Sequence, residues 1–197
     1  MTHRTLDIAI RPLLAAVLAV AAAGTCRGIS ATPPAAAPPP VAPPPAAPPA
    51  PALSRQAAAA ARAFSNAAMA EVRFPGGRAI AAVIADTPER IMYGYMFRPE
   101  VREDEGMLFI FPSPGVHGFW MKNTLVPLDI IWMDGNRAIV HIEEAAPPCR
   151  ADPCPGYGPM RVVSSVLEVR AGTAVREGLK RGDRLSIVLP GEPGVAR

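Results

Sequence analysis

The stretch from Pro33 to Pro51 contains 11 prolines in 19 residues, and almost all the others are alanine. Proline lacks a backbone N–H and alanine has little bulk, so this stretch cannot build a sheet or fill a core. We expect it to be a spacer in the extended polyproline II conformation. The alanine-rich residues 53–70 can form a loose helix, but their apolar stripe is too narrow to dock firmly. The sequence therefore predicts a disordered linker over 24–70, one domain over 71–190 and a flexible tail over 191–197.

The N-terminus has the pattern of a secretory signal. Arg4 and Arg11 precede the uninterrupted apolar run Leu13–Ala23, which ends on three alanines. At about 1.5 Å per residue, this run reaches only about half of a ~30 Å hydrocarbon core, so a membrane anchor fits less well. We predict that residues 1–23 are a cleaved signal peptide and that the mature protein is periplasmic or secreted, without a stable membrane span. A membrane-anchored form stays open as an alternative, and so does lipidation of Cys26.

The positive charge of the chain lies outside the predicted domain. The formal net charge is +3, but residues 71–197 contain 15 basic and 16 acidic side chains. A nucleic-acid interface needs Lys and Arg concentrated in the folded part. The sequence therefore argues against a nucleic-acid partner.

We expect a monomer without a cofactor.

Two cysteines lie close together in the domain. Cys149 and Cys154 are separated by four residues, and in an oxidising compartment such a pair most simply forms a local disulfide. The closed loop is short, so the disulfide contributes roughly 2 kcal/mol. A structural zinc site needs four ligands, and only His141 is near in sequence. We predict a disulfide and no metal.

The domain alternates between strand and helix signals. Thr87 can cap a helix, Pro88 suits its first position and Pro99 ends the segment. The pair Asp134–Gly135 predicts a hairpin, and residues 173–177 predict a second short helix. Strands are predicted over 79–85, 107–111, 117–122, 128–133, 138–142, 165–169 and 184–189. The expected fold is a β-rich α+β domain, a small curved or barrel-like sheet of six or seven strands with two short helices.

Several segments together resemble the DUF192 family, whose name records an uncharacterised function. The most specific are Gly106–Phe109, Phe119–Asp129 and Gly178–Arg184, and the similarity covers nearly all of residues 79–189. The resemblance implies a small β-rich α+β fold that is commonly exported and has no established activity or cofactor. It therefore supplies no catalytic residues.

Polar residues follow directly on the bulky run Phe119–Met121. In one interpretation Asn123 and Thr124 satisfy backbone groups of a turn while Lys122 pairs with a carboxylate. In the other, Lys122 and Asn123 bind an anionic or sugar-like ligand and Trp120 serves as a platform.

Asp129 interrupts an otherwise apolar strand. If its side chain points inward it needs a cationic or donor partner, for which Arg98 and Lys122 are candidates. A structural ion pair is favoured over a catalytic acid, because buried paired charges occur in scaffolds as well as in active sites. His117 and His141 are the only histidines beyond the signal sequence, and no Gly-x-Ser-x-Gly motif accompanies them.

We therefore hypothesise a non-enzymatic module on a flexible stalk that binds a small ligand, an envelope component or a protein partner. A hydrolytic enzyme using Asp129 and His117, or a purely structural envelope domain, are the alternatives. An enzyme would need these two side chains within hydrogen-bond reach in a pocket. The candidate ligand-binding residues are Trp120, Lys122, Asn123, Thr124, Asp129, Arg98 and His117.

Overall fold

The computed structural model describes residues 50–192. The predicted signal peptide, Cys26 and the linker up to residue 49 lie outside the described residues. The described range contains three helices and nine strands, which are α1 (Ala50–Ala63), β1 (Met69–Arg73), β2 (Ala79–Ala85), α2 (Pro88–Tyr93), β3 (Glu105–Gly115), β4 (Phe119–Trp120), β5 (Leu128–Met133), β6 (Ile139–Ala146), β7 (Gly156–Tyr157), β8 (Val163–Arg170), α3 (Thr173–Arg176) and β9 (Ser186–Val188).

Seven strands form one curled sheet in the order β6-β5-β8-β3-β2-β1-β9. Only β2 and β3 pair in parallel; the other neighbours are antiparallel. The two ends of the sheet approach each other, because Ala138 and Arg184 form an antiparallel bridge and the Ile139 N–H donates to the Asp183 carbonyl at 2.8 Å. The sheet is therefore a half-barrel, which confirms the predicted β-rich α+β fold with a curved sheet. β4 and β7 form a separate two-stranded sheet.

The two faces of the sheet bury two apolar clusters, because successive side chains of a strand point to opposite faces. One cluster includes Leu108, Ile131 and Leu167 and extends to α3 and β9. The other includes Phe109 and Trp132 and is covered by loop residues such as Tyr95, Val101 and Met121. The second face carries the candidate site.

The segment that was expected to be a loose linker docks at its C-terminal end. Arg90 Nε donates to the Ala63 carbonyl at 2.9 Å, and the Arg98 guanidinium lies over the Phe64 ring, 5.4 Å from its centroid. These contacts use a backbone oxygen and one ring, so the apolar stripe of the sequence does not reveal them. β1 also begins within the predicted linker, at Met69.

Most strand predictions agree with the structure, and the boundaries of β2 and β5 agree to the residue. The hairpin at Asp134–Gly135 is present, since β5 and β6 pair antiparallel on either side of it. The strand predicted over 117–122 is shorter and consists of β4 alone. The helix that was expected to continue to Pro99 ends at Tyr93, because Gly94 leaves helical geometry with φ 47° and ψ −133°. None of the helices in residues 50–192 has the length and apolar character needed to cross a membrane.

Candidate functional site

Five of the seven predicted binding residues lie within residues 117–124, which we call the arm. β4 lies in the arm and pairs with β7, so that Trp120 is opposite Gly156. The indole Nε1 of the buried Trp132 donates to the His117 carbonyl at 2.8 Å. These contacts hold the arm against the second face of the sheet, and they leave Trp120 50% exposed.

Lys122 is paired within the protein. Its ammonium lies 3.0 and 3.1 Å from the two carboxylate oxygens of Asp152 and 5.6 Å from the centroid of the Trp120 ring. Asp152 belongs to the loop closed by the Cys149–Cys154 disulfide, which is present as predicted. The contacts of Lys122 therefore match the interpretation in which it pairs with a carboxylate.

Asn123 and Thr124 shape the turn at the end of the arm. Asn123 has a positive φ of 55°, which asparagine tolerates better than most residues, and its carbonyl accepts from the Phe97 N–H at 2.9 Å. The Thr124 N–H donates to the Met121 carbonyl at 3.3 Å, and the Thr124 side chain is buried. This turn ties the arm to the segment that follows α2.

Asp129 is fully buried and accepts three backbone hydrogen bonds. Its Oδ1 accepts from Ala145 at 2.8 Å and from Gly172 at 3.1 Å, and its Oδ2 accepts from Ala174 at 2.8 Å. The carboxylate therefore joins the end of β6 to the first residues of α3. It is a structural residue with both oxygens occupied.

The prediction that Arg98 or Lys122 pairs with Asp129 is wrong. Arg98 lies over the Tyr95 ring, 5.2 Å from its centroid, and Lys122 binds Asp152. Backbone amides replace them, and no motif in the sequence marks such donors, because they are brought together only by the sheet.

His117 and Asp129 do not form a catalytic pair. The imidazole stacks on Phe111 with ring centroids 3.5 Å apart, and its Nε2 lies 3.3 Å from the Ser113 carbonyl. Asp129 is occupied by the amides described above. Within residues 50–192, no group of three or more His, Cys, Asp or Glu side chains is arranged to hold a metal ion.

A narrow cleft opens between residues 91–96 and the arm. Its other lining residues are Phe109, Phe119, Trp120, Thr124 and Glu168, and we call it the Glu168 cleft. Its water-accessible volume is about 30 Å³, enough for one or two water-sized groups. Trp120 and Met92 are exposed at its rim. Two of the residues predicted to bind a ligand, Trp120 and Thr124, line this cleft.

Glu168 is the most unusual residue of the cleft. It lies on β8 between Met107 of β3 and Ile130 of β5, and it is only 4% exposed. Its Oε2 has no hydrogen-bond partner among the described residues. Desolvation in these apolar surroundings raises the pKa of Glu168 from 4.5 to about 8, so the carboxyl is largely protonated at neutral pH.

The hydroxyl of Tyr95 is a second buried polar atom that has no partner among the described residues. Burial raises the pKa of the Tyr95 phenol far above its usual value, and the nearby charges of Glu105 and Glu168 raise it further, against a smaller opposing effect of Arg98. The phenol is therefore a neutral hydroxyl at any ordinary pH. Together with Glu168 it leaves two polar groups of the cleft unsatisfied.

Gly94 lies close to Glu168 and carries no side chain. A Cβ atom at this position would lie 3.5 Å from Glu168 Oε2 and 3.2 Å from Cζ of Phe109, and the positive φ of 47° also disfavours any side chain. Sequence reasoning missed Glu168, Tyr95 and Gly94. Asp129 was singled out because it is a carboxylate inside an apolar strand. Glu168 has the same pattern, since it lies between apolar residues in Val166–Val169.

Comparison with known proteins identifies relatives over this domain. The DUF192 family model, described as "Uncharacterized ACR", matches residues 71–187. A protein of unknown function from Novosphingobium aromaticivorans is 32% identical, with a TM-score of 0.54 over 60% of this chain and 83% of the other. A Sinorhizobium meliloti protein described as a "putative transcription regulator" is also 32% identical, with a TM-score of 0.53 over 60% of this chain and 92% of the other. No curated protein matches this chain.

Proposed function

The chain belongs to the DUF192 family, whose function is uncharacterised, and we propose from its own geometry that the domain is a non-enzymatic module that binds a small ligand in the Glu168 cleft. The observation that carries this proposal is the pair of buried atoms Glu168 Oε2 and Tyr95 Oη, which have no hydrogen-bond partner within residues 50–192. A buried polar group without a partner costs about 1–3 kcal/mol, and a ligand that bonds to both groups recovers that free energy. Apolar walls with a few fixed polar groups are typical of ligand sites.

The rim of the cleft supports the same proposal. Trp120 is half exposed, yet β4, β7 and the Lys122 ammonium hold it in place. A large aromatic side chain fixed at the mouth of a cleft provides contact area for a ligand at little entropic cost. By contrast, neither Asp129 nor His117 is arranged for catalysis.

We propose that the module works outside the cytoplasm, in the periplasm or after secretion. The Cys149–Cys154 disulfide supports this location, because such bonds persist in oxidising compartments. The apolar run Leu13–Ala23 after two arginines supports it as well. In this arrangement the proline-rich stretch would act as a stalk.

The charge of this domain does not favour the DNA contacts of a transcription regulator, which is how the Sinorhizobium meliloti relative is described. Regulators that contact DNA need a concentration of basic side chains, and residues 71–197 contain 15 basic and 16 acidic ones. The charge of this domain favours a small ligand over nucleic acid.

Truncating Trp120 to alanine is expected to weaken ligand binding about tenfold, since the indole is a wall of the cleft. Its effect on stability should stay under about 1 kcal/mol, because the side chain is half exposed. Amide chemical shifts of the full chain would be followed by NMR with four probes, butylammonium, butanol, acetate and glucose. The changes in amide chemical shift on addition of a probe should concentrate at Gly94, Thr124 and Glu168.

The matched control is Leu125→Ala, which truncates an exposed side chain next to the arm that does not line the cleft. It should leave every probe affinity unchanged. The proposal fails if none of the four probes shifts the cleft amides, or if Trp120→Ala binds them as tightly as the wild type does.

A further inference from the structure

We infer that the ligand of the Glu168 cleft carries a primary ammonium group on a slender chain, with the ammonium bound by the Glu168 carboxylate at the floor and the chain passing Trp120 at the rim. This inference rests on the proposed binding function and names the chemical class of its ligand.

The side chains that line the cleft favour a cation over an anion. Glu168 is an acidic group among the lining residues, and none of those residues is Lys, Arg or His. Five of the lining residues are aromatic, and a ring face attracts a cation by roughly 0.5–2 kcal/mol. Two of these rings already contact cations within the protein, since Arg98 lies over Tyr95 and Lys122 lies over Trp120.

The size of the cleft restricts which cation can enter. About 30 Å³ accommodates one or two water-sized groups, which suits the –NH₃⁺ end of a chain but not a quaternary ammonium or a sugar ring. Oε2 of Glu168 and the hydroxyl of Tyr95 are both available as acceptors for its three N–H donors. Gly94 keeps a side chain away from Oε2, because a Cβ atom at this position would lie only 3.5 Å from it.

The proton balance follows from the surroundings of Glu168. β3 and β5 place Met107 and Ile130 beside it, and burial among them raises its pKa. Tyr95 faces it from the segment after α2. The charge of Glu105 raises the pKa of Tyr95 and the charge of Arg98 lowers it. In the free protein the carboxyl holds its proton up to about pH 8. Binding R–NH₃⁺ converts Glu168–COOH to Glu168–COO⁻ and releases one H⁺ to solvent. The affinity should therefore rise with pH up to about 8 and then level off, until the amine itself loses its proton.

Calorimetric titration of the full chain with butylammonium at pH 6, 7 and 8 tests this inference. We expect the affinity to increase about tenfold per pH unit between pH 6 and 7 and by somewhat less up to pH 8. The heat should vary with the ionisation enthalpy of the buffer in the way that release of about one proton requires at pH 6 and 7, and of about half a proton at pH 8. Tetramethylammonium should bind at least tenfold more weakly, because it exceeds the cleft.

The key variant is Glu168→Gln, which keeps the shape of the side chain but cannot ionise. It should abolish the pH dependence and weaken butylammonium binding at pH 8 at least ~30-fold. Glu144→Gln, an exposed change on β6, is the matched control and should behave like the wild type. The pH series on the wild-type protein needs no variant, so it remains decisive if Glu168→Gln folds poorly.

The outcomes distinguish failure of the ammonium assignment from failure of the binding function of the cleft. If butanol binds at the cleft as tightly as butylammonium, or if affinity for butylammonium does not change with pH, the ammonium assignment is overturned while the binding site stands. If none of the four probes shifts the cleft amides, the binding function fails as well. Tight, pH-dependent binding of butylammonium that is lost in Glu168→Gln supports both.

Discussion

Replacing Glu168 by glutamine should make the protein more stable than the wild type at pH 8.5. The free energy of unfolding of the variant minus that of the wild type should be roughly 4 kcal/mol larger at pH 8.5 than at pH 5. The reason is the buried carboxyl, whose pKa is about 8 in the folded protein and 4.5 in the unfolded chain. The folded state therefore binds a proton that the unfolded state has lost. Stability from this group is complete below about pH 4.5, declines as the pH rises, and is gone above about pH 8.

Glutamine carries no proton to lose, so its contribution does not change over this range. Thermal unfolding of both proteins at pH 5, 7 and 8.5 measures the difference, which should reach on the order of 10–15 °C in Tm at pH 8.5. Glu144→Gln, an exposed change, should follow the wild-type curve at each pH. Parallel curves for the wild type and Glu168→Gln would show that Glu168 is ionised in the folded protein, contrary to its burial.

Asp129→Ala should destabilise the protein by about 4 kcal/mol or more, because it leaves three buried backbone N–H groups without acceptors. These amides belong to the end of β6 and to the start of α3. Urea unfolding should show a lower midpoint with an unchanged dependence of the free energy on urea concentration. Asp129→Asn retains one acceptor oxygen and should fall between the alanine variant and the wild type.

Asp104→Ala is the matched control, since this carboxylate is 64% exposed and pairs with Arg102 at the surface. Its effect should stay within about 0.5 kcal/mol. A loss below about 1 kcal/mol in Asp129→Ala would contradict the structural role of this carboxylate.

The sequence predicts the local parts of this fold well. The apolar runs 79–85 and 128–133 are bounded by turn residues, and the structure forms β2 and β5 over the same residues. Thr87 caps α2 as predicted, with its hydroxyl accepting from the Arg90 N–H at 3.3 Å. β7 has only two residues, too few to show a period, and β1 has only five residues, which follow the alanine-rich helix segment.

The candidate site is only partly predictable, because its members meet through distant strand pairing. Trp120 and Thr124 stand in a motif that is visible in the sequence, and both line the cleft. Glu168 reaches the same cleft because β8 lies between β3 and β5, an order that no local pattern gives. Lys122 finds its partner Asp152 30 residues further along the chain, in the disulfide loop.

The most direct measurement is a crystal structure of the protein soaked with butylammonium, acetate, butanol and glucose in separate experiments, beside an unsoaked crystal. We expect the butylammonium nitrogen within about 3 Å of Glu168 Oε2, with its chain leaving the cleft past Trp120. Water alone in the cleft in every soak would contradict the assignment of this cleft as a ligand site.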